Sequence, residues 1–202
     1  VSYDRIFTKD QACTVCLPFA LSADELARLM KATKSSKWER LHMLVHMALT
    51  TGARRGELIG LKWSDIDFQR KTAHLARTKN GDQRVLTLTN AVIQELMPFR
   101  QVGDAYLFPH PGKLHGPFSE FDHHWQACLL DAEISDFRFH DLRHTCASLL
   151  AKNGATLLEI ADHLGHKTMT MVKRYAHLCT GHKAALTERI FGGITKIGRA
   201  HV

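Results

Sequence analysis

The sequence has no long apolar run and few cysteines. No stretch reaches the roughly 18 apolar residues that a membrane-spanning helix needs, and no charged-then-apolar leader opens the chain. We therefore expect a cytoplasmic protein without a membrane partner. The cysteines are odd in number in a chain of 202 residues, which indicates a reducing compartment and no disulfide framework. They are Cys13, Cys16, Cys128, Cys146 and Cys179.

Two signatures of bound cofactors are also missing. The sequence has neither a Gly-x4-Gly-Lys-Ser/Thr phosphate loop nor a group of carboxylates at metal-ligand spacing. Cys13 and Cys16 have Cys-x-x-Cys spacing, but no second pair follows them, so we assign no metal and expect no cofactor. A zinc-dependent interaction module built on this pair stays an alternative, which elemental analysis would test. We expect the remaining histidines, including His123 and His124, to be ordinary surface or core residues.

Basic residues are what the sequence has in excess, with a formal net charge of +7. From Phe137 to the end there are ten Lys and Arg residues against four Asp and Glu residues, so this part carries six of the seven positive charges. An excess of this kind favours contact with a polyanion. The C-terminal third is therefore the part that we expect to face such a partner.

Helical periodicity dominates the chain, and one central segment has a period of two. Ser22 and Glu25 form a capping box ahead of an apolar helical pattern. Between Ile66 and Leu88 the apolar residues fit short strands around the turn Lys79-Asn80-Gly81-Asp82, which predicts an antiparallel hairpin. Further helices are expected near 38–51, 91–99, 120–132, 140–153, 157–164, 168–179 and 182–191. The predicted fold class is mainly α with a small antiparallel β-sheet (α+β), and 45% apolar residues suffice for the core of one globular domain.

Three short segments combine arginines and histidines near predicted helix ends. They are Thr-Gly-Ala-Arg-Arg-Gly-Glu-Leu at 51–58, His-Asp-Leu-Arg-His-Thr at 140–145, and Leu-Gly-His at 164–166 with Tyr175 nine residues later. Taken singly, each is more simply a surface charge, a helix-face pair or a packing residue. Their order along the chain, with a hairpin lysine between the first two, indicates a joint function.

This ordered set resembles the catalytic domain of the tyrosine recombinases, also called the phage integrase family, from about Leu21 to Phe191. The resemblance implies a site-specific recombinase or integrase. Such an enzyme breaks and rejoins strands of double-stranded DNA through a 3′-phosphotyrosyl intermediate, without metal or cofactor. A type IB topoisomerase-like enzyme that relaxes DNA and a non-catalytic DNA-binding relative stay as alternatives.

The resemblance assigns the central catalytic roles to five residues. Arg54 and Arg143 clamp the scissile phosphate, where a planar guanidinium donates two hydrogen bonds and keeps its charge. His166 donates to a non-bridging oxygen of the same phosphate. Tyr175 is the nucleophile and His140 accepts its proton, since an imidazole titrates near neutral pH.

A sixth catalytic role falls on the predicted hairpin turn. Lys79 matches the family's general acid, which gives a proton to the leaving 5′ oxygen. Lys71 and Arg77 flank the same hairpin, and an exposed turn lysine is ordinarily just solvated. The hairpin therefore offers more than one candidate for this role.

Supporting roles go to four further residues. Glu57, about one helical turn from Arg54, orients that arginine, and its simpler reading is a local ion pair. His144 has a structural or orienting role. Lys173 and Arg174 are placed to meet DNA phosphate near the nucleophile, with an ordinary solvated helix face as the alternative.

The resemblance also predicts how the chain is organised. Residues 1–20 are expected to be an N-terminal extension or linker from a missing core-binding domain, 21–191 the catalytic domain, and 192–202 a C-terminal tail. Full-length family members carry an N-terminal helical domain on the other side of the duplex, and four protomers assemble on two DNA sites. We therefore expect a homotetramer on paired sites for a full-length protein, and weak, salt-dependent DNA binding by this chain alone.

Overall fold

The structure, a computed structural model, describes residues 20–75, 83–112, 116–166 and 168–192. These residues are mostly helical, with one small antiparallel sheet, which confirms the predicted fold class. They divide into two compact units after Cys146, a boundary that lies inside one helix. No helix in these ranges is both long and apolar enough to cross a bilayer.

Eight α-helices lie within the described ranges. They are α1 (Ala23–Lys34), α2 (Leu41–Thr51), α3 (Arg55–Ile59), α4 (Asn90–Leu96), α5 (Asp122–Asp131), α6 (Asp141–Lys152), α7 (Leu157–Leu164) and α8 (Thr180–Phe191). Short 3-10 helices occur at Trp63–Asp65, Met97–Phe99, Met169–Met171 and Lys173–Cys179.

The sheet has three strands in the order β1 (Ile66–Asp67), β2 (Thr72–Leu75) and β3 (Arg84–Thr87), each antiparallel to the next. The β2–β3 pairing runs from Thr72 opposite Thr87 to Leu75 opposite Arg84. Burial alternates along both strands, because successive side chains point to opposite faces of a sheet. The antiparallel sheet is as predicted, whereas the turn at 79–82 lies outside the described residues.

Capping boxes built on a hydroxyl residue set the starts of α1 and α7. At α1 the Ser22 hydroxyl accepts from the Glu25 N–H at 3.3 Å, and the Glu25 carboxylate accepts from the Ser22 N–H at 2.8 Å. This confirms the predicted capping box. Thr156 and Glu159 repeat the arrangement at the start of α7. Each box satisfies N–H groups that a helix start otherwise leaves without a partner.

In the first unit the core is built by α1, α2 and α5. The apolar stripes of the three helices are buried, with Leu29, Leu44 and Trp125 each at most 1% exposed. The Trp38 ring packs edge-on against Phe118, with 4.9 Å between ring centroids, and stacks on Phe121 at 5.5 Å. This aromatic packing joins the segment before α2 to the start of α5.

The prediction of one helix over 168–179 is wrong. The segment forms two short 3-10 helices, in which the Met171 N–H bonds to the Thr168 carbonyl and the Tyr175 N–H bonds to the Val172 carbonyl. Thr168, Thr170 and Val172 are β-branched, which lowers α-helix propensity. The apolar spacing was therefore present without the local preference that an α-helix needs.

Candidate active site

The C-terminal end of α2 binds two arginines. Gly52 ends the helix in the left-handed conformation, with φ 58°, where a side chain would be strained. The carbonyl of Thr51 accepts from Nη2 of Arg84 at 3.2 Å, and the carbonyl of Gly52 accepts a short hydrogen bond from Nη1 of Arg143. The last carbonyls of a helix lack backbone partners and carry partial negative charge, so two guanidinium groups stabilise this end.

A third arginine joins this group through Glu57. Oε1 of Glu57 accepts from Nη1 of Arg54 at 2.7 Å, and Oε2 accepts from the Arg54 backbone N–H at 2.9 Å. Nη1 of Arg84 lies 3.5 Å from the same Oε2. The Glu57 side chain is only 6% exposed, so its charge is balanced by the two guanidinium groups rather than by water.

Arg54, Arg84 and Arg143, with Glu57 between the first two, are here called the arginine cluster. The side chain of Arg54 is 30% exposed and that of Arg84 is 11% exposed, whereas Arg143 is 5% exposed as a whole residue. The cluster therefore presents Arg54 towards solvent and holds the other two inside. Fixed guanidinium groups of this kind suit a phosphate whose negative charge increases during a reaction.

His140 lies immediately before α6, and α6 carries Arg143. Partial burial lowers the pKa of His140, and the positive charge of Arg143 lowers it further, while the negative charge of Asp141 opposes the shift. The rings of His140 and His144 meet edge to face, with 5.8 Å between their centroids. A lowered pKa keeps the His140 imidazole neutral at pH 7, the form that accepts a proton.

The start of α6 is fixed by Asp141, which is 1% exposed. Its Oδ2 accepts from the Arg138 backbone N–H at 2.8 Å, and the Thr145 hydroxyl donates to its backbone carbonyl at 3.2 Å. A buried carboxylate at a helix start compensates the positive end of the helix dipole. These bonds determine where His140 and Arg143 leave the backbone.

Four of the predicted site residues lie in the second unit. His166 follows Gly165, which ends α7 in the left-handed conformation, and its N–H returns to the Ala161 carbonyl at 2.8 Å. Tyr175 lies in the 3-10 helix Lys173–Cys179 and is 1% exposed. Lys173 and Arg174 precede it and are both exposed. The structure thus buries the predicted nucleophile and leaves its two basic neighbours in solvent.

Of the predicted site, the first unit brings together Arg54, Glu57 and Arg143. Lys79 lies outside the described residues, as do Cys13, Cys16 and the tail from residue 193, so the predictions that rest on them stay predictions.

Sequence reasoning missed Arg84. It shares a face of β3 with the buried Leu86, and a charge on the buried face of a strand is a signal of a paired role. His42, His46 and Glu95 were missed as a group, although they place ligand atoms within 4.8 Å of one another. The two histidines are four residues apart, but Glu95 is distant in sequence and only the fold brings it to them.

Comparison with known proteins places this arrangement in a family. The family model described as "Phage integrase family" matches residues 20–182. The shufflon-specific DNA recombinase of Escherichia coli is 35% identical over 141 residues, which cover 68% of this chain and 35% of that protein. The integrase of Salmonella phage P22 is 35% identical over 172 residues, which cover 76% of this chain and 44% of that protein.

A solved structure of an integrase catalytic domain also has a similar fold. The catalytic domain of bacteriophage HP1 integrase matches with a TM-score of 0.69 and 25% identity, covering 87% of this chain and 96% of that one. The present chain spans less than half the length of the two curated relatives, at 35% and 44%.

Proposed function

This chain belongs to the phage integrase family of tyrosine recombinases, and on that premise we propose that it cleaves and rejoins double-stranded DNA at specific sites. The proposed intermediate is a 3′-phosphotyrosyl bond to Tyr175. Residues 21–191 would act as the catalytic domain. The similarity to a DNA recombinase and a phage integrase supports DNA as the partner.

The arginine cluster is the observation that carries the proposal. Its guanidinium groups are held by Glu57 and by the α2 carbonyls before any phosphate arrives. Donors that are already in place need no reorganisation as charge develops on the phosphate, so they stabilise the transition state more than the ground state. In the proposed reaction Arg54 and Arg143 bind the scissile phosphate, and Arg84 positions Glu57.

The chemistry balances without an outside energy source. The Tyr175 oxygen attacks the phosphorus, the bond from phosphorus to the 5′ oxygen breaks, and the tyrosine proton passes to His140. The leaving 5′ oxygen takes a proton from Lys79, while His166 donates to a non-bridging oxygen. Attack by a 5′ hydroxyl then restores the phosphodiester and frees Tyr175.

The other predicted residues take supporting roles in this proposal. His144 braces His140 through its edge-to-face contact. Lys173 and Arg174, both exposed, contact DNA phosphates beside the nucleophile. Neither role requires a metal or a cofactor.

The experiment that tests the proposal traps the covalent intermediate. Duplexes nicked close to the scissile phosphate lose the short 5′-hydroxyl fragment after cleavage, so rejoining is prevented. A pool with randomised sequence around the nick removes the need to know the recognition site. The reaction is run at low salt with EDTA, because phosphate contacts weaken as salt rises. Products are resolved on a denaturing gel.

A matched pair of tyrosine variants gives the control. We expect a denaturation-resistant protein–DNA band from the unchanged chain and from Tyr106→Phe, and none from Tyr175→Phe. A band that survives Tyr175→Phe would assign the covalent bond to another residue. No band from the unchanged chain at any protein concentration, or a band that needs metal, would also contradict the proposal.

We further propose that a full-length protein works as a homotetramer on paired DNA sites, as the resemblance implies. In support, α8 exposes two large apolar side chains near its end, Ile190 at 55% and Phe191 at 56%. Apolar side chains exposed side by side are typical of a contact surface. Mass measurement of the complex on paired sites would give four protomers, and a mass of two would contradict the assembly.

A further inference from the structure

Helices α2 and α4 bring together two histidines and one glutamate that have no part in the proposed strand transfer. His42 and His46 lie one turn apart on α2, and Glu95 is on α4. Oε1 of Glu95 lies 3.3 Å from Nε2 of His42 and 2.9 Å from Nδ1 of His46. The side chains are 12%, 11% and 27% exposed, so the group is largely shielded from solvent but accessible to it.

The spacing between His42 and Glu95 is that of two ligands of one metal ion, whereas the 2.9 Å between His46 and Glu95 is also a hydrogen-bond distance. Two ligand atoms that each lie about 2.0–2.1 Å from a tetrahedral zinc ion are about 3.3 Å from each other. The separation between His42 Nε2 and Glu95 Oε1 has that value, and it is longer than most N–H···O hydrogen bonds. Histidines at positions i and i+4 of a helix also share one face and can bind the same ion.

Thr33 provides a hydrogen-bond acceptor for the ring nitrogen of His42 that would not bind the metal. A histidine that binds metal through Nε2 must carry its proton on Nδ1 and donate that proton to an acceptor. The Thr33 hydroxyl lies 2.8 Å from Nδ1 of His42. Its own proton has a separate acceptor, the Met30 carbonyl at 3.0 Å. Thr33 is therefore able to accept from His42 and leave the Nε2 lone pair facing Glu95.

The second carboxylate oxygen of Glu95 is available to a ligand. Its Oε2 is buried, and within the described ranges no group makes a hydrogen bond to it. A buried carboxylate oxygen without a partner is costly, and a cation or a metal-bound water would satisfy it.

We infer that His42, His46 and Glu95 form a binding site for a divalent transition-metal ion, with zinc the best fit. Two imidazoles and one carboxylate are a ligand set that zinc takes, with water in the remaining position. The ion would join α2 to α4. Its role is to stabilise the first unit, because the ligands take no part in the proposed cleavage.

Metal-free protein titrated with zinc tests the inference. The bound stoichiometry is measured by equilibrium dialysis and elemental analysis, and the melting temperature by calorimetry. Each measurement is repeated with Cys13→Ser and Cys16→Ser together, so that thiol binding is separated from this site. We expect one zinc ion per chain and a rise in Tm of about 5–10 °C at a zinc concentration about 100 times the Kd.

Variants locate the ion. Both His42→Gln and Glu95→Gln should lose this zinc ion and the shift in Tm. His110→Gln is the matched control, because His110 also faces a glutamate, at 3.9 Å from Glu120, but belongs to no three-ligand group among the described residues. It should keep both the ion and the shift.

Cobalt gives a readout that needs no variant. Bound by two imidazoles and a carboxylate in the unchanged protein, cobalt(II) should show the visible absorption of a four- or five-coordinate ion. The inference is overturned by absence of that spectrum, by zinc binding that His42→Gln and Glu95→Gln leave intact, or by zinc that changes no melting temperature. Strand cleavage in EDTA is measured separately, so failure of this site and failure of the proposed function are distinguishable.

Discussion

Arg54 and Arg55 are neighbours with different surroundings. Arg54 is bound to Glu57 within the arginine cluster, whereas Arg55 pairs with Asp122 at 2.6 Å and lies over the Phe121 ring at 4.4 Å. On the proposed function, the first pairing keeps a guanidinium in place for phosphate, and the second pairing joins α3 to α5. Two neighbouring residues would then have a chemical role and a structural role.

We expect Arg54→Lys to slow covalent complex formation by about 100-fold or more, because lysine cannot donate two parallel hydrogen bonds to phosphate. Arg55→Lys should slow it by less than about tenfold, since that side chain acts in packing. Single-turnover kinetics on the nicked duplex measure both rates. Equal losses in the two variants would contradict the assignment of Arg54.

His140 gives a prediction about pH. Because burial and the positive charge of Arg143 lower its pKa, the folded protein binds a proton there less readily than the unfolded chain does. Stability from this group is therefore present above about pH 6.5 and declines as the pH falls through that value towards the folded pKa. NMR titration of the ring protons, with His140→Gln to assign the signal, should give a midpoint below 6.5. A midpoint at or above 6.5 would show that the charges around His140 do not act as described.

At the scale of residues, only the contact of the arginine cluster that is local in sequence was predicted as a contact. Arg54 and Glu57 were paired in advance because they are three residues apart. Arg84 was not predicted as a member of the cluster, because its partners are Glu57 and the Thr51 carbonyl. The Thr51 carbonyl is 33 residues away along the chain. A contact of that kind depends on how β3 meets the end of α2, which no local pattern encodes.

At the scale of elements, the turn after α2 gives a matched pair of glycine substitutions. Gly52 has φ 58°, whereas Gly56 lies in α3 with nothing within 4 Å of an added Cβ. Gly52→Ala should destabilise the protein by about 1–2 kcal/mol and slow cleavage, because the strained turn carries the carbonyl that binds Arg143. Gly56→Ala should be neutral or stabilising by up to about 1 kcal/mol.

Urea unfolding and the cleavage assay measure the pair. Loss of stability with unchanged cleavage in Gly52→Ala would mean that the turn does not position Arg143 for chemistry. Equal destabilisation by the two substitutions would contradict the conformational argument itself.

The elements that were predicted well are those with strong local signals. The capping box at Ser22 marks the start of α1, and apolar residues at a period of two mark β2 and β3. The segment 168–179 was predicted wrongly because apolar spacing at a helical period does not distinguish an α-helix from successive 3-10 turns. Only the hydrogen bonds between i and i+3 in the structure separate the two.

At the scale of the whole molecule, charge is unevenly distributed along the sequence, and DNA affinity should follow it. Because each phosphate contact releases counterions, log K should fall linearly with log salt. Lys173→Ala with Arg174→Ala should reduce the magnitude of the slope by up to about 2. Lys31→Ala with Lys34→Ala, two exposed residues of α1, is the matched control and should leave the slope unchanged. Fluorescence anisotropy over a salt series measures the slope of log K against log salt for each variant. Equal slopes for the two double variants would place the DNA away from the residues beside Tyr175.

On the proposed mechanism, the burial of Tyr175 makes the free protein latent. With 1% of the residue exposed, no phosphodiester reaches its hydroxyl until the segment around it moves. The segment is held by 3-10 turns, whose hydrogen bonds are weaker than those of an α-helix, so its rearrangement costs less. On the proposed mechanism, a duplex that does not induce this rearrangement stays intact however often the protein meets it. Selectivity would then be exercised before the first bond breaks, at the step that uncovers the nucleophile.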